Sequence, residues 1–173
     1  GRALTPLLRP FGPRLSVHDP WLSDGYLRAE GVTPVSLGDA LSGADVVFLL
    51  AGVTDENQGA LDRARLANIR KDAAVVLASR AEIVDFDAFV DLAANGAFRA
   101  AIDVFPEEPV MPSDPLRSRP DILFSAHLAG GLEASYARIR EMMLDDITQI
   151  LRGLPPLRMQ RAEPALAPRM CSR

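Results

Sequence analysis

Apolar positions along this chain keep two rhythms in turn. Short runs rich in valine, isoleucine or alanine occupy residues 44–50 (ADVVFLL), 73–78 (AAVVLA), 97–104 (AFRAAIDV) and 122–126 (ILFSA). Each is too brief for a helix and reads as a strand buried in a parallel sheet. Residues 15–18 make a shorter strand, and residues 32–35 an edge strand closing a polar, glycine-containing connection over 21–35. Between the strands the spacing is helical. Residues 1–11 put Leu4, Leu7, Leu8 and Phe11 on one face, and Gly12-Pro13 stops them: glycine permits a left-handed cap and proline prevents continuation. Ser36 opens a short helix, with Asp39 three residues on reaching back as in a capping box. Residues 61–69 are helical, and residues 84–95 carry Phe86, Phe89, Val90, Leu92 and Ala93 on one side before Asn95-Gly96 closes them. Residues 133–152 form the longest helix, apolar at Ile139, Met142, Met143, Ile147, Ile150 and Leu151, its methionines read as core packing. Residues 109–120 hold four prolines and read as a loop.

Strand and helix alternate throughout, which predicts an α/β fold: a doubly wound parallel sheet with right-handed crossovers. In such sheets the C-terminal strand ends line the ligand crevice. Three strand ends here carry chemistry. Ser79-Arg80 follows the run at 73–78, Asp103 and then Glu107-Glu108 follow the next, and His127 follows the last, with Leu128-Ala129-Gly130-Gly131 behind it.

An arginine, a carboxylate and a histidine are the set needed for hydride transfer at an oxygen-bearing carbon next to a carboxylate. Moving a hydride to or from that carbon requires a proton to move at the oxygen, and histidine titrates in the right range. A neighbouring carboxylate such as Glu108 raises its basicity and fixes its tautomer. An arginine grips a substrate carboxylate through two parallel hydrogen bonds. Taken singly, these are a surface arginine, a solvated acidic turn and a core histidine. Taken together at strand ends, they favour the functional reading.

The pattern Ser79-Arg80-Ala81-Glu82-Ile83-Val84-Asp85, then Asp103-Val104-Phe105-Pro106-Glu107-Glu108-Pro109, then Ser125-Ala126-His127-Leu128-Ala129-Gly130, resembles the D-isomer-specific 2-hydroxyacid dehydrogenases, the phosphoglycerate-dehydrogenase-like family. The resemblance implies that Arg80, Glu108 and His127 are catalytic. It implies cofactor contacts at Ala51, Gly52, Asn57, Ala78, Ser79, Arg80, Asp103, His127 and Gly130, with Asp103 and the backbone of 78–80 on the nicotinamide amide. For residues 51–59 a second reading stands beside it, a turn with a helix cap at Thr54; both can hold.

The N-terminal residues extend the argument. A helix, a short strand and Asp19 at its tip, 18 residues after Gly1 (19 − 1), read as the second half of a dinucleotide-binding βαβ unit. Gly1 is then the last glycine of the phosphate-binding turn, and Asp19 accepts from the adenine ribose hydroxyls. A carboxylate there repels a 2′-phosphate, so the expected cofactor is NAD rather than NADP. The chain, opening on a glycine and straight into a helix, is expected to be a fragment. Residues 1–156 are read as a partial NAD-binding domain lacking its first strand and the family's separate substrate domain, with residues 157–173 a loosely held tail. The final helix, which would cross to the missing domain, is expected to show an unusually apolar face.

Two features depart from the family's pattern. Its asparagine-threonine pair and its two glycines around the arginine are replaced by Leu77-Ala78 and Ala81-Glu82. Glu82 either pairs with Arg80 and weakens its hold on an anion, or points away. Composition then narrows the partners. A formal net charge of −4 argues against a nucleic-acid surface. Cys171 is the only cysteine, so no disulfide within the chain is possible, and no apolar run approaches the roughly 20 residues that cross a bilayer. The expectation is a cytoplasmic, homodimeric, metal-free NAD-dependent oxidoreductase on a small 2-hydroxy or 2-oxo acid. The alternative weighed against it is an NAD-sensing, corepressor-like protein.

Overall fold

The computed structural model describes residues 1–159. Its elements run α1 (Thr5–Leu8), β1 (Ser16–Val17), α2 (Asp24–Ala29), β2 (Thr33–Pro34), α3 (Leu37–Gly43), β3 (Val46–Leu49), α4 (Arg63–Ala67), β4 (Ala74–Leu77), α5 (Phe86–Ala94), β5 (Arg99–Ile102), β6 (Ile122–Phe124) and α6 (Glu133–Leu151). The alternation is that of a Rossmann-like α/β fold. All pairings among the strands are parallel, in two sheets: β1 with β2, and β3-β4-β5-β6 in sequence order. In the dinucleotide-binding order the first strand lies between the second and fourth. The break between β1 and β3 falls at that position.

The core sits between the four-stranded sheet and the helices beside it. Val75 and Leu77 of β4, Ile102 of β5, Leu66 of α4 and Phe89 of α5 are all but inaccessible. The Phe89 and Phe98 rings meet with centroids 5.2 Å apart. Caps explain where the helices begin. The side chains of Ser23, Ser36, Asp62 and Asp85 each accept an amide hydrogen bond at the start of α2, α3, α4 and α5. Gly12 and Gly96, both at positive φ, close the first and the α5 segments as the sequence predicts.

Several expectations need correction. The connection at 21–35 contains a helix, α2, signalled by Ser23-Asp24 and by Leu27, which is buried. Thr54 caps no helix; α4 begins later, on Asp62. The strands at 44–50 and 122–126 are not fully buried: β3 and β6 are the edges of their sheet, with Val46, Phe48, Leu123 and Phe124 exposed. Asp39 reaches the Ser36 hydroxyl, 2.6 Å, rather than its backbone amide. The methionines of α6 are not core. Met143 is exposed, and the one buried residue of α6 is Asp146. The segment following α6 is not loose at its start. Leu157 and Arg158 donate their amides to Asp146 Oδ1 and Met159 to Oδ2, at 2.7–2.9 Å. The remainder of the expected tail, 160–173, lies outside the described residues.

Candidate active site

Parallel register delivers the site. Leu77, Ile102 and Phe124 are aligned across β4, β5 and β6. Arg80 and His127 each lie three residues beyond that line, and Glu108 lies on the loop leaving β5. Adjacent strands thus release the three predicted catalytic residues at one edge of the sheet.

His127 Nδ1 and Glu108 Oε2 are 2.7 Å apart. The other Glu108 oxygen accepts the Phe105 amide at 3.0 Å, which fixes the carboxylate against its own loop. Both side chains are partly open to solvent, 40% for His127 and 37% for Glu108. Burial alone would raise the Glu108 pKa. The His127 hydrogen bond, the Phe105 amide and the charges of His127 and Arg80 outweigh it, and Glu108 is held below the ordinary glutamate value. The guanidinium of Arg80 therefore acts on the same carboxylate that engages the histidine, while its Nη1 donates to the Ser79 carbonyl at 2.7 Å. With Nδ1 engaged, Nε2 is the ring nitrogen left to exchange a proton with a ligand.

Asp103, 6% exposed, continues β5: its amide donates to the Leu77 carbonyl. Its Oδ1 accepts the Leu128 amide at 2.9 Å and its Oδ2 the Ala129 amide at 3.0 Å. Burial would raise its pKa. The Ser125 side chain, the Ala129 and Leu128 amides and the charge of His127 together hold it below the ordinary aspartate value. His127 itself lies in the left-handed region, φ 56°. Nothing in the local sequence announces this link, because its partners stand 25 and 26 residues apart.

The remaining predicted positions divide. Ala51 and Gly52 follow β3 and are exposed; the register Leu49 with Leu77 sets them level with Ser79 and Arg80. Asn57 folds back on its own loop, donating Nδ2 to the Gly52 carbonyl and accepting the Thr54 amide, both at 2.7 Å. Asp19 stands apart at the end of β1 in the smaller sheet. One of its oxygens accepts the amides of Trp21 (2.9 Å) and Leu22 (3.2 Å), forming an Asx turn. Two hydroxyls, Ser79 Oγ and Thr54 Oγ1, are buried without a partner among the described residues. Space above Gly52 and Gly130 is open. Orphan hydroxyls and open glycines along the strand ends fit a nucleotide lying across them. No cluster among the described residues could hold a metal ion.

The family model described as D-isomer specific 2-hydroxyacid dehydrogenase, NAD binding domain, matches residues 1–129. The chain belongs to this family. The family's NAD-binding domain implies NAD(H) as the cofactor. A phosphoglycerate oxidoreductase from Rhizobium etli superposes with a TM-score of 0.86 at 41% identity, over 94% of this chain and 49% of that one. A glyoxylate reductase of Korarchaeum cryptofilum is 28% identical over 90% of this chain and 48% of its own length. The D-3-phosphoglycerate dehydrogenase of Bacillus subtilis is 26% identical over 90% of this chain and 30% of its own. The chain thus spans half or less of the length of these relatives.

Proposed function

We infer that this chain carries the nucleotide-binding and proton-transfer half of an NAD-dependent oxidoreductase acting on a 2-hydroxy or 2-oxo acid. The observation that carries this reading is the 2.7 Å pair of His127 and Glu108 at a strand end beside Arg80. The bound nicotinamide would supply or accept the hydride; Ala51, Gly52, the 78–80 backbone and Gly130 would hold the cofactor, with Asp19 at its ribose. Arg80 orients the substrate carboxylate. His127 gives its Nε2 proton to the oxo oxygen during reduction and takes it back during oxidation. Glu108 accepts from Nδ1, which fixes the tautomer and the orientation of the ring. The relatives named above are reductases and dehydrogenases, which supports catalysis over the sensor reading.

Steady-state kinetics with NADH and a small 2-oxo acid test the division of labour. Arg80→Lys should chiefly raise KM for the acid, because a charge remains while the two-pronged grip is lost. His127→Ala should lower kcat by about 100-fold or more, as for loss of a general acid. An Arg80→Lys variant with normal KM would remove Arg80 from the substrate.

A further inference from the structure

We propose that Asp103 is a positioning residue for His127, its carboxylate clamping the Leu128 and Ala129 amides to hold the left-handed turn from which the imidazole meets Glu108. Three observations converge on it. First, a histidine at φ 56° occupies a region that side-chain-bearing residues adopt only when their surroundings impose it. Second, the two amides that follow His127 converge on one buried carboxylate, one on each oxygen. An acceptor-only, ionised group suits two amide donors, and charge strengthens both bonds. Third, β6 joins β5 immediately before the turn, since the Ser125 amide donates to the Ile102 carbonyl. The turn is therefore pinned on both sides of His127 by residues of the β5 end.

The same segment controls the ring. Asp103 fixes where the histidine backbone lies, and Glu108, five residues on (108 − 103), fixes where its ring points. One loop thus mounts the imidazole at two points. The charged groups around it are Glu108 and Asp103 from the β5 end and Arg80 from the β4 end. Its consequence for turnover rests on the function proposed above; the clamp itself does not. This role is separate from a hold on the nicotinamide amide: it is exercised by bonds within the chain, and each carboxylate oxygen keeps a further lone pair.

The test is nuclear magnetic resonance of the full chain without cofactor, joined to kinetics. In the unmodified protein the Leu128 and Ala129 amide protons should exchange slowly and shift together as Asp103 titrates. In Asp103→Asn, where one oxygen becomes a donor facing a donor, their exchange should accelerate about tenfold or more, and the His127 ring signals should lose their response to Glu108. Turnover should then fall in kcat with KM for NADH held, and Asp103→Glu should recover part of it. A folded Asp103→Asn with unchanged exchange and ring signals would overturn the clamp. So would a raised KM for NADH with intact kcat, which would move Asp103 to the cofactor. If Asp103→Asn fails to fold, the unmodified protein decides: amides that ignore the Asp103 titration overturn the proposal. Slow, coupled amides in a protein that never oxidises NADH would uphold the clamp and count only against the catalytic reading.

Discussion

One oxygen of Asp19 is spent on the turn through Trp21 and Leu22, which leaves the other to meet a ribose. The proposed discrimination against a 2′-phosphate therefore rests on a carboxylate already fixed in place. Asp19→Ala is expected to erode the preference for NAD over NADP, read as the ratio of kcat/KM for the two cofactors; a native protein that favours NADP would remove Asp19 from this role. That Arg80, Glu108 and His127 gather at one edge of the sheet was legible in the sequence, because residue type and strand-end position coincide; their part in catalysis is the proposal made above. What the sequence hid was the use of Asp103. Its partners are backbone amides, which have no letter of their own, and they become neighbours only when β5 and β6 pair. Asn57 teaches a related lesson: placed by resemblance at the cofactor, its side chain also braces its own loop.

Phe89 of α5, with 0% exposure, packs on Phe98 just ahead of β5, and Asp85 caps the helix that carries it. Phe89→Ala should destabilise the fold by about 3–5 kcal/mol, seen as a lower urea midpoint at unchanged slope; a near-native midpoint would contradict the packing described. Strands β3 to β6 and helices α5 and α6 were readable because their apolar periods are long or dense. Helix α2 was not, since it buries only Leu27 and its surroundings are polar. Apolar content overstated burial in β3 and α6, where sequence reports hydrophobicity but not which faces find a neighbour. At the end of α6, Asp146 is 5% exposed. Burial would raise its pKa, but the Arg158, Leu157 and Met159 amides and the Arg158 charge keep it below the ordinary value. A depressed folded pKa means the unfolded chain takes up the proton more readily. The anchor is thus in force above the ordinary aspartate range and is lost as pH falls through the lower folded value. Protection from hydrogen exchange at 157–159, measured against the intrinsic rate at each pH, should hold at neutral pH and fall in acid, and Asp146→Ala should remove it throughout; unchanged protection in that variant would contradict the anchoring.

For the whole molecule, the largest unmet demand is apolar. Along α6, Tyr136, Ile139, Met143, Ile147 and Ile150 recur every three or four residues and all are exposed; Leu151 is 82% and Leu123 of β6 75% exposed. Contiguous exposed apolar stripes of this kind mark interaction surfaces. We propose that a second copy of the chain covers this one. Sedimentation at micromolar concentration should return twice the chain mass, and Ile147→Lys should shift it toward one; a single-chain mass for the native protein would set the dimer aside.

Rate measurements on full-length protein across pH test the His127–Glu108 pair most directly. Reduction of a 2-oxo acid needs a proton delivered from Nε2, and Glu108, bound at Nδ1, fixes the ring that carries it. In Glu108→Gln kcat/KM for reduction should fall about tenfold or more, with His127→Ala reduced about 100-fold or more across the range. Unchanged kcat/KM in Glu108→Gln together with near-normal turnover in His127→Ala would contradict a proton-transfer role and leave the pair a structural contact.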